Sequence, residues 1–244
     1  MLGNETMDHT AASGSVIFLE NVYKKYGRED PVPALGGVSL KVKAGEFVFI
    51  TGRSGSGKTT LIRLLTRELK ADQGEVRVLD QDLNKLRRSG VSALRRRLGI
   101  VFQDFRLLKD RTVYENVALA LRAMGTPGNQ IPGRVEEVLA EVGLSDKKEA
   151  MPGQLSGGEQ QKAALARALS GHPEIILADE PTGNLDQDSA REIMALLYKV
   201  YREGTTVLVV THNREIVQRM QKRVITMEGG LVVSDQEKAP GRKG

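Results

Sequence analysis

The chain contains no cysteine and no tryptophan, and aromatic residues make up only 4% of its 244 positions. Without cysteine no disulfide can form, which fits a reducing compartment without requiring one. So few aromatic rings leave a base-stacking platform for nucleic acid poorly supported, and no nucleic-acid partner is expected. No uninterrupted apolar run approaches the roughly 18 residues of a membrane-spanning helix. The opening stretch Met1 to Ser15 is polar and rich in small residues, without the apolar centre of a signal peptide. A cytoplasmic chain that reaches a membrane only through a partner is the expectation. The net charge of +5 is spread along the sequence, apart from Arg95-Arg96-Arg97 and a tail from Lys238 to Lys243. It permits an anionic neighbour without demanding one. A solvated helix face is the plain account of the arginine cluster, and contact with lipid headgroups or an acidic partner is the sharper one.

What is present is a set of apolar strands tipped with polar chemistry. At 40% hydrophobic residues the chain can build one substantial core. Ile175-Ile176-Leu177-Ala178 reads as a buried strand ending in two acids, Asp179 and Glu180. Strand alternation sends neighbouring side chains to opposite sides, so the two carboxylates are expected to do different jobs. Asp179 is suited to hold a metal ion and Glu180 to polarise a water molecule. Such a pair is useful beside a phosphate-bearing substrate, and the holder lies upstream. Phe47-Val48-Phe49-Ile50 leads into Gly52-Arg53-Ser54-Gly55-Ser56-Gly57-Lys58-Thr59-Thr60, which fills every fixed position of the phosphate-loop pattern. Glycines let the backbone curl so that its N–H groups face phosphate oxygens, and a helix starting near Gly57 adds its positive end. Lys58 would reach the terminal phosphates, and the Thr59 hydroxyl would ligate magnesium.

A further motif, Leu155-Ser156-Gly157-Gly158-Glu159-Gln160-Gln161, opens an alanine-rich helix running to about Leu169. A serine and two glycines at a helix N-terminus form another anion site. One nucleotide does not need both, so the second site is read as serving a nucleotide held by another copy of the chain.

Together Gly52 to Thr60, Leu155 to Gln161 and Ile175 to Asp186 resemble the phosphate loop, the signature motif, and the acidic strand with its following loop of ABC-type ATPases. The likeness runs from about Val16 to Val233. Within that family, the stretch from Val101 to Leu119 is similar to FtsE-like cell-division ATPases. Lys109 stands where proline is common in that branch, and Asn213 where aspartate is frequent. The ending Pro181-Thr182-Gly183-Asn184-Leu185-Asp186 is shared more widely, including by lipoprotein-releasing and macrolide-exporting ATPases. The resemblance implies ATP and Mg2+ as ligands. It gives Gln103 to the magnesium and the attacking water, His212 to the terminal phosphate, and Tyr26, with Tyr23 as competitor, to the adenine ring. Asp186 becomes the acid of a loop that communicates across a dimer. Ser156 and Gly158, with Gly157 and Glu159 beside them, would contact ATP bound to the partner of a head-to-tail homodimer. Hydrolysis would rest on Glu180, His212, Lys58 and Gln103, with Thr59, Asp179 and Gln103 at the metal. An integral membrane protein, FtsX-like, would dock near Gln103, Phe105, Leu107 and Leu108 on the cytoplasmic face of the inner membrane; ordinary core is the alternative for those apolar residues. Long coiled-coil or zinc insertions of DNA-maintenance ATPases are absent, and the length falls short of tandem-cassette ribosomal ATPases.

The expected fold is α/β: a phosphate-loop core with a mixed sheet, antiparallel strands near the N-terminus, and an inserted helical subdomain. The boundaries read as a disordered arm over 1–15, one domain over 16–234 with the helical insertion at about 91–169, and a basic flexible tail over 235–244. Strands are expected at Val16 to Leu19, Val38 to Val42, Val76 to Leu79, Gly99 to Phe102 and Thr206 to Val210, with a closing hairpin around Glu228-Gly229-Gly230. Thr112 and Glu115 form a capping box ahead of a helical stripe, and Pro132 opens a second. A third helix is expected from about Asp188 to Arg202.

Overall fold

The protein is described by a computed structural model covering residues 14–27 and 32–239. Most of the expected N-terminal arm lies outside these residues. Ser15 does not belong to an arm, because it opens a strand.

Strand β1 (Ser15–Lys24) pairs antiparallel with β2 (Leu35–Lys43) on one side and β4 (Gln73–Val78) on the other, and β4 continues to the short β5 (Gln81–Asp82). A second sheet holds β3 (Phe47–Thr51), β6 (Leu98–Phe102), β7 (Ile175–Asp179), β8 (Thr206–Val210), β9 (Arg223–Glu228) and β10 (Leu231–Gln236), in the order β10-β9-β3-β8-β7-β6. Every pair in it is parallel except β9 with β10. Strands β3, β7 and β8 are apolar along nearly their whole length because a parallel sheet is covered on both faces. Alternation then splits their side chains between two cores. Phe47, Phe49, Ile176, Val207 and Val209 face one cluster, and Val48, Ile50, Leu177, Leu208 and Val210 face the other.

The second cluster is closed by the antiparallel sheet and by α1 (Lys58–Leu65). The first is closed by helices α3 (Val113–Met124), α4 (Ile131–Glu141), α5 (Gly157–Leu169) and α6 (Gln187–Arg202). Helix α3 begins with the expected capping box, in which the Glu115 N–H donates to Thr112 Oγ1 at 3.1 Å and the Thr112 N–H donates back to Glu115 Oε2 at 2.9 Å. Pro132 sits in the first turn of α4.

Two further boundaries differ from the sequence expectation, and one helix is additional. The span 91–169 is not helical throughout: after α2 (Arg88–Arg96) the chain enters β6, whose Phe102 pairs in register with Asp179. At the C-terminus the strand outlasts Ser234. Asp235 and Gln236 belong to β10, and Asp235 Oδ2 takes an ion pair from Arg223 Nη2 at 2.7 Å. Only residues 240–244 of the expected tail fall outside the described residues. Helix α7 (Arg214–Met220) was not anticipated; Asn213 caps it by accepting from the Ile216 N–H at 3.2 Å. The arginine cluster is partly used inside the fold, since Arg95 donates to the Thr66 carbonyl at 3.0 Å and Arg97 pairs with Glu174. No helix among the described residues is long and apolar enough to cross a membrane.

Candidate nucleotide site

The parallel strands β3, β7 and β8 end on the same edge of the sheet, where ligand sites of such folds gather. Their exits, the loop after β6 and the start of α1 enclose a cavity of about 720 Å³. It is lined by Tyr26, Ala34, Arg53 to Thr60, Gln103, Asp179, Glu180 and His212. Residues from six separate stretches of sequence thus converge on one space.

The phosphate loop is built for backbone donation. Gly57, the residue before α1, has φ 100°, and a Cβ there would lie 2.6 Å from the Ala34 carbonyl oxygen. Only glycine tolerates both the left-handed backbone and that approach. No side chain caps this helix and no acid lies in its first turn, so its leading amides and dipole stay available to an anion. Lys58 is buried, and its ammonium donates to the carbonyls of Gly52 at 2.8 Å and Arg53 at 2.9 Å. The Ser56 hydroxyl is buried without a hydrogen-bond partner in the protein. A buried orphan hydroxyl inside a curl of amides fits a phosphate oxygen.

Asp179 is partly buried at the end of β7. Burial pushes its carboxyl above the ordinary carboxylate range and the neighbouring Glu180 adds to this, while the Thr59 hydroxyl and Lys58 pull it back. A carboxylate that is costly to ionise alone, beside a threonine hydroxyl, fits a divalent cation. Glu180 departs from the expected geometry. Its φ of 48° takes it out of the strand, so alternation stops at Asp179 and both acids line the same cavity instead of facing opposite sides. That conformation costs on the order of 1–3 kcal/mol for a non-glycine residue. It is held by the Glu180 N–H donating to Val210 O at 2.9 Å and by the Gly183 N–H donating to Glu180 O at 3.0 Å. The Glu180 carboxylate accepts from the His212 backbone N–H at 3.3 Å, and its Oε1 lies 2.9 Å from His212 Nδ1. An imidazole protonated at Nδ1 donates there and leaves Nε2 for another partner.

Gln103 lines the cavity and donates to Asn184 Oδ1 at 3.1 Å, while Asn184 Nδ2 donates back to the Gln103 carbonyl at 3.3 Å. Asn184 was not singled out from the sequence; a short polar residue between Gly183 and Leu185 signals only a turn. Tyr26 stands at the cavity, 56% exposed, with its hydroxyl 3.1 Å from Thr60 Oγ1, whereas Tyr23 does not line the cavity. Of the two candidates, position favours Tyr26.

The remaining candidates lie elsewhere. Ser156, Gly157, Gly158, Glu159 and Asp186 do not line this cavity. Ser156 caps α5, accepting from the Glu159 N–H at 3.2 Å, while Glu159 Oε2 accepts from the Ser156 N–H at 2.8 Å. Gly158 is buried against α6, and a Cβ there would meet Ser189 Oγ at 2.5 Å. Asp186 caps α6, and the Ser189 and Asp188 backbone N–H groups together with the Ser189 hydroxyl hold its carboxyl below the usual range. Near Gln103, the three apolar residues read as one group are divided. Leu107 packs on the core, Phe105 is half-buried at φ 56°, and Leu108 is 41% exposed.

A family described as ABC transporter matches residues 35–183. The cell division ATP-binding protein FtsE of Streptococcus pneumoniae (strain D39) is 48% identical over 92% of this chain and 96% of its own length. That of Mycobacterium tuberculosis is 48% identical over 91% and 96%. The methionine import ATP-binding protein MetN of Rhizobium johnstonii is 42% identical, but only 63% of its length is matched. Among solved structures, a dimeric ATP-binding cassette in a post-hydrolysis state bound to ADP and Pi superposes with a TM-score of 0.82 at 38% identity, over 92% of this chain and 99% of that one.

Proposed function

The chain belongs to the ABC transporter family and is an ABC-type ATPase, and from that premise we propose that it is the FtsE-like motor of a membrane complex. The observation that carries this is the division of the motifs: the phosphate loop, Asp179, Glu180, Gln103 and His212 share one cavity, while Ser156 to Glu159 lie outside it. A single chain therefore holds half of each site. A head-to-tail homodimer completes it, with Ser156 of one copy reaching the nucleotide gripped by the other. In each cavity Lys58 and the loop amides bind the phosphates, Tyr26 meets the adenine, Thr59 and Asp179 hold Mg2+, and Gln103 reaches toward the metal and the water. The bound cation supplies neutralisation of charge on the transferred phosphoryl. Glu180, oriented by His212, accepts the proton of the attacking water or fixes its direction. ATP closes the dimer and hydrolysis reopens it.

The cell-division assignment is supported by relatives of that name being matched along nearly their whole length. On this reading the chain lies at the cytoplasmic face of the plasma membrane and drives an FtsX-like partner that regulates cell-wall hydrolases. The Gln103–Leu108 loop, with Leu108 exposed, is the docking surface. An exporter or lipoprotein-release ATPase is the second reading, because Pro181 to Asp186 suits both.

Glu180→Gln should retain ATP binding, lose turnover by roughly 100-fold or more, and yield a dimer with MgATP by light scattering; a species that stays monomeric at high protein concentration would refute the shared site. Capture from membranes should bring down one membrane protein, and Phe105→Ser with Leu108→Ser should abolish that capture while sparing basal turnover. Survival of capture in the double variant would remove the docking assignment, and capture of a transporter permease would favour the second reading.

A further inference from the structure

A polar residue sits where α5 has no obvious use for one. Gln161 lies in an alanine-rich stretch and is fully buried. Its Nε2 donates to the Pro181 carbonyl at 2.7 Å and to the Phe102 carbonyl at 3.3 Å, and its Oε1 has no partner. Both neighbours are acceptors, so the amide must present its NH2 to them. Phe102 closes β6 and pairs in register with Asp179, which closes β7. Pro181 lies two residues further on. The Phe102 carbonyl also accepts from the Phe105 N–H at 3.4 Å, and the Gln161 amide bridges it, as a fork, to the Pro181 carbonyl across the two strand ends. Phe102 directly precedes Gln103, and Pro181 directly follows Glu180. The fork therefore fixes, from one atom, the two loops that carry the groups facing the attacking water. The left-handed Glu180 persists only if its surroundings over-determine it. Its other restraints are on its own backbone and at β8, so Gln161 is the tie that comes from the helix opened by Ser156.

We propose that Gln161 is a positioning residue that sets Glu180 and Gln103 for hydrolysis and links them mechanically to the Ser156 end of α5. It touches neither nucleotide nor water. When the N-terminus of α5 engages the second copy, displacement along this helix is passed through the Gln161 amide to both loops. The Oε1 end has no partner, so it is the NH2 end of the Gln161 side chain that makes the contacts.

The test is Gln161→Met, which keeps size and burial while removing the fork, measured beside Gln161→Glu. Gln161→Met should lower kcat about tenfold or more, since small misplacements of reacting groups are costly, with affinity for ATP within about twofold of wild type. Gln161→Glu should recover part of this loss relative to wild type as pH falls, because a buried carboxyl protonates readily and then supplies one donor. Unchanged kcat in Gln161→Met overturns the proposal. So does a parallel loss of ATP affinity and kcat in both variants, or poor folding of Gln161→Met together with a Gln161→Glu whose activity ratio to wild type is flat with pH. The inference rests on Glu180 as the group facing the water. If Glu180→Gln keeps full turnover, that assignment fails first, whatever Gln161→Met does.

Discussion

Two helix N-termini in this molecule look alike in sequence and differ in physics. Serine and glycine mark the start of both α1 and α5, and each reads as an anion site. At α1 the capping position is a left-handed glycine with no side-chain cap and no acid in the first turn. At α5 Ser156 and Glu159 close a capping box, and the Ser156 N–H and hydroxyl hold the Glu159 carboxyl below its usual range. The first end is open and waits for a phosphate within the same chain. The second is already satisfied by its own side chains and is stable without a ligand. Gly158 adds to the contrast, because its missing side chain lets α5 approach Ser189 of α6. A phosphate loop must remain unfilled to bind. On the proposed reading, in which the Ser156 surface meets a nucleotide only in the dimer, that surface must be presentable in the monomer.

The contrast breaks most readily at Lys58. Lys58→Ala should weaken ATP binding by about 100-fold, as for loss of one strong charge-stabilising donor, in equilibrium titration of the purified chain. If affinity is unchanged, the open end is not the binding end. Ser156→Ala should behave oppositely. It removes a helix cap worth about 1 kcal/mol, seen as a lower unfolding midpoint. It should leave ATP affinity of the isolated chain intact while turnover drops roughly tenfold. Loss of affinity instead would mean that the two ends act within one chain.

The smallest expected effect is the one on stability at Asp179. The Asp179 carboxyl is raised above 3.8 in the fold, chiefly by burial. It therefore favours the folded state while protonated, and that contribution is lost as pH rises through its folded value. Asp179→Asn should match wild type in urea midpoint below the ordinary carboxyl value of 3.8 and exceed it toward pH 7, while Mg2+-dependent turnover disappears. A wild-type midpoint equal to that of the variant across the range would show that the cavity stores no such cost.

The elements legible in the chain are those with strong local signals. Continuous apolar runs announced β3, β7 and β8, Thr112 with Glu115 announced α3, and the glycine pattern announced the loop at α1. Strand β6 was legible as the apolar stretch Gly99 to Phe102 ahead of Gln103, one residue short of its start at Leu98. Helix α7 was missed because Asn213 is its main local marker. Asn184 and Gln161 were invisible for a different reason: their partners lie 81 residues away at Gln103 for the first, and 59 and 20 residues away at Phe102 and Pro181 for the second.

The sequence alone determined where the phosphate curl, the acid-tipped strand and the helix caps lie, since these are short-range patterns of side-chain type. It determined the α/β class for the same reason. Only the tertiary structure decided which of those residues meet. Glu180 joins Asp179 in one cavity because its backbone turns left-handed under restraint from β8, against the alternation of its own strand. Ser156 is kept apart from that cavity because α5 packs on β6 and α6. Both outcomes depend on contacts between distant segments, where packing and hydrogen-bond satisfaction outweigh local preference.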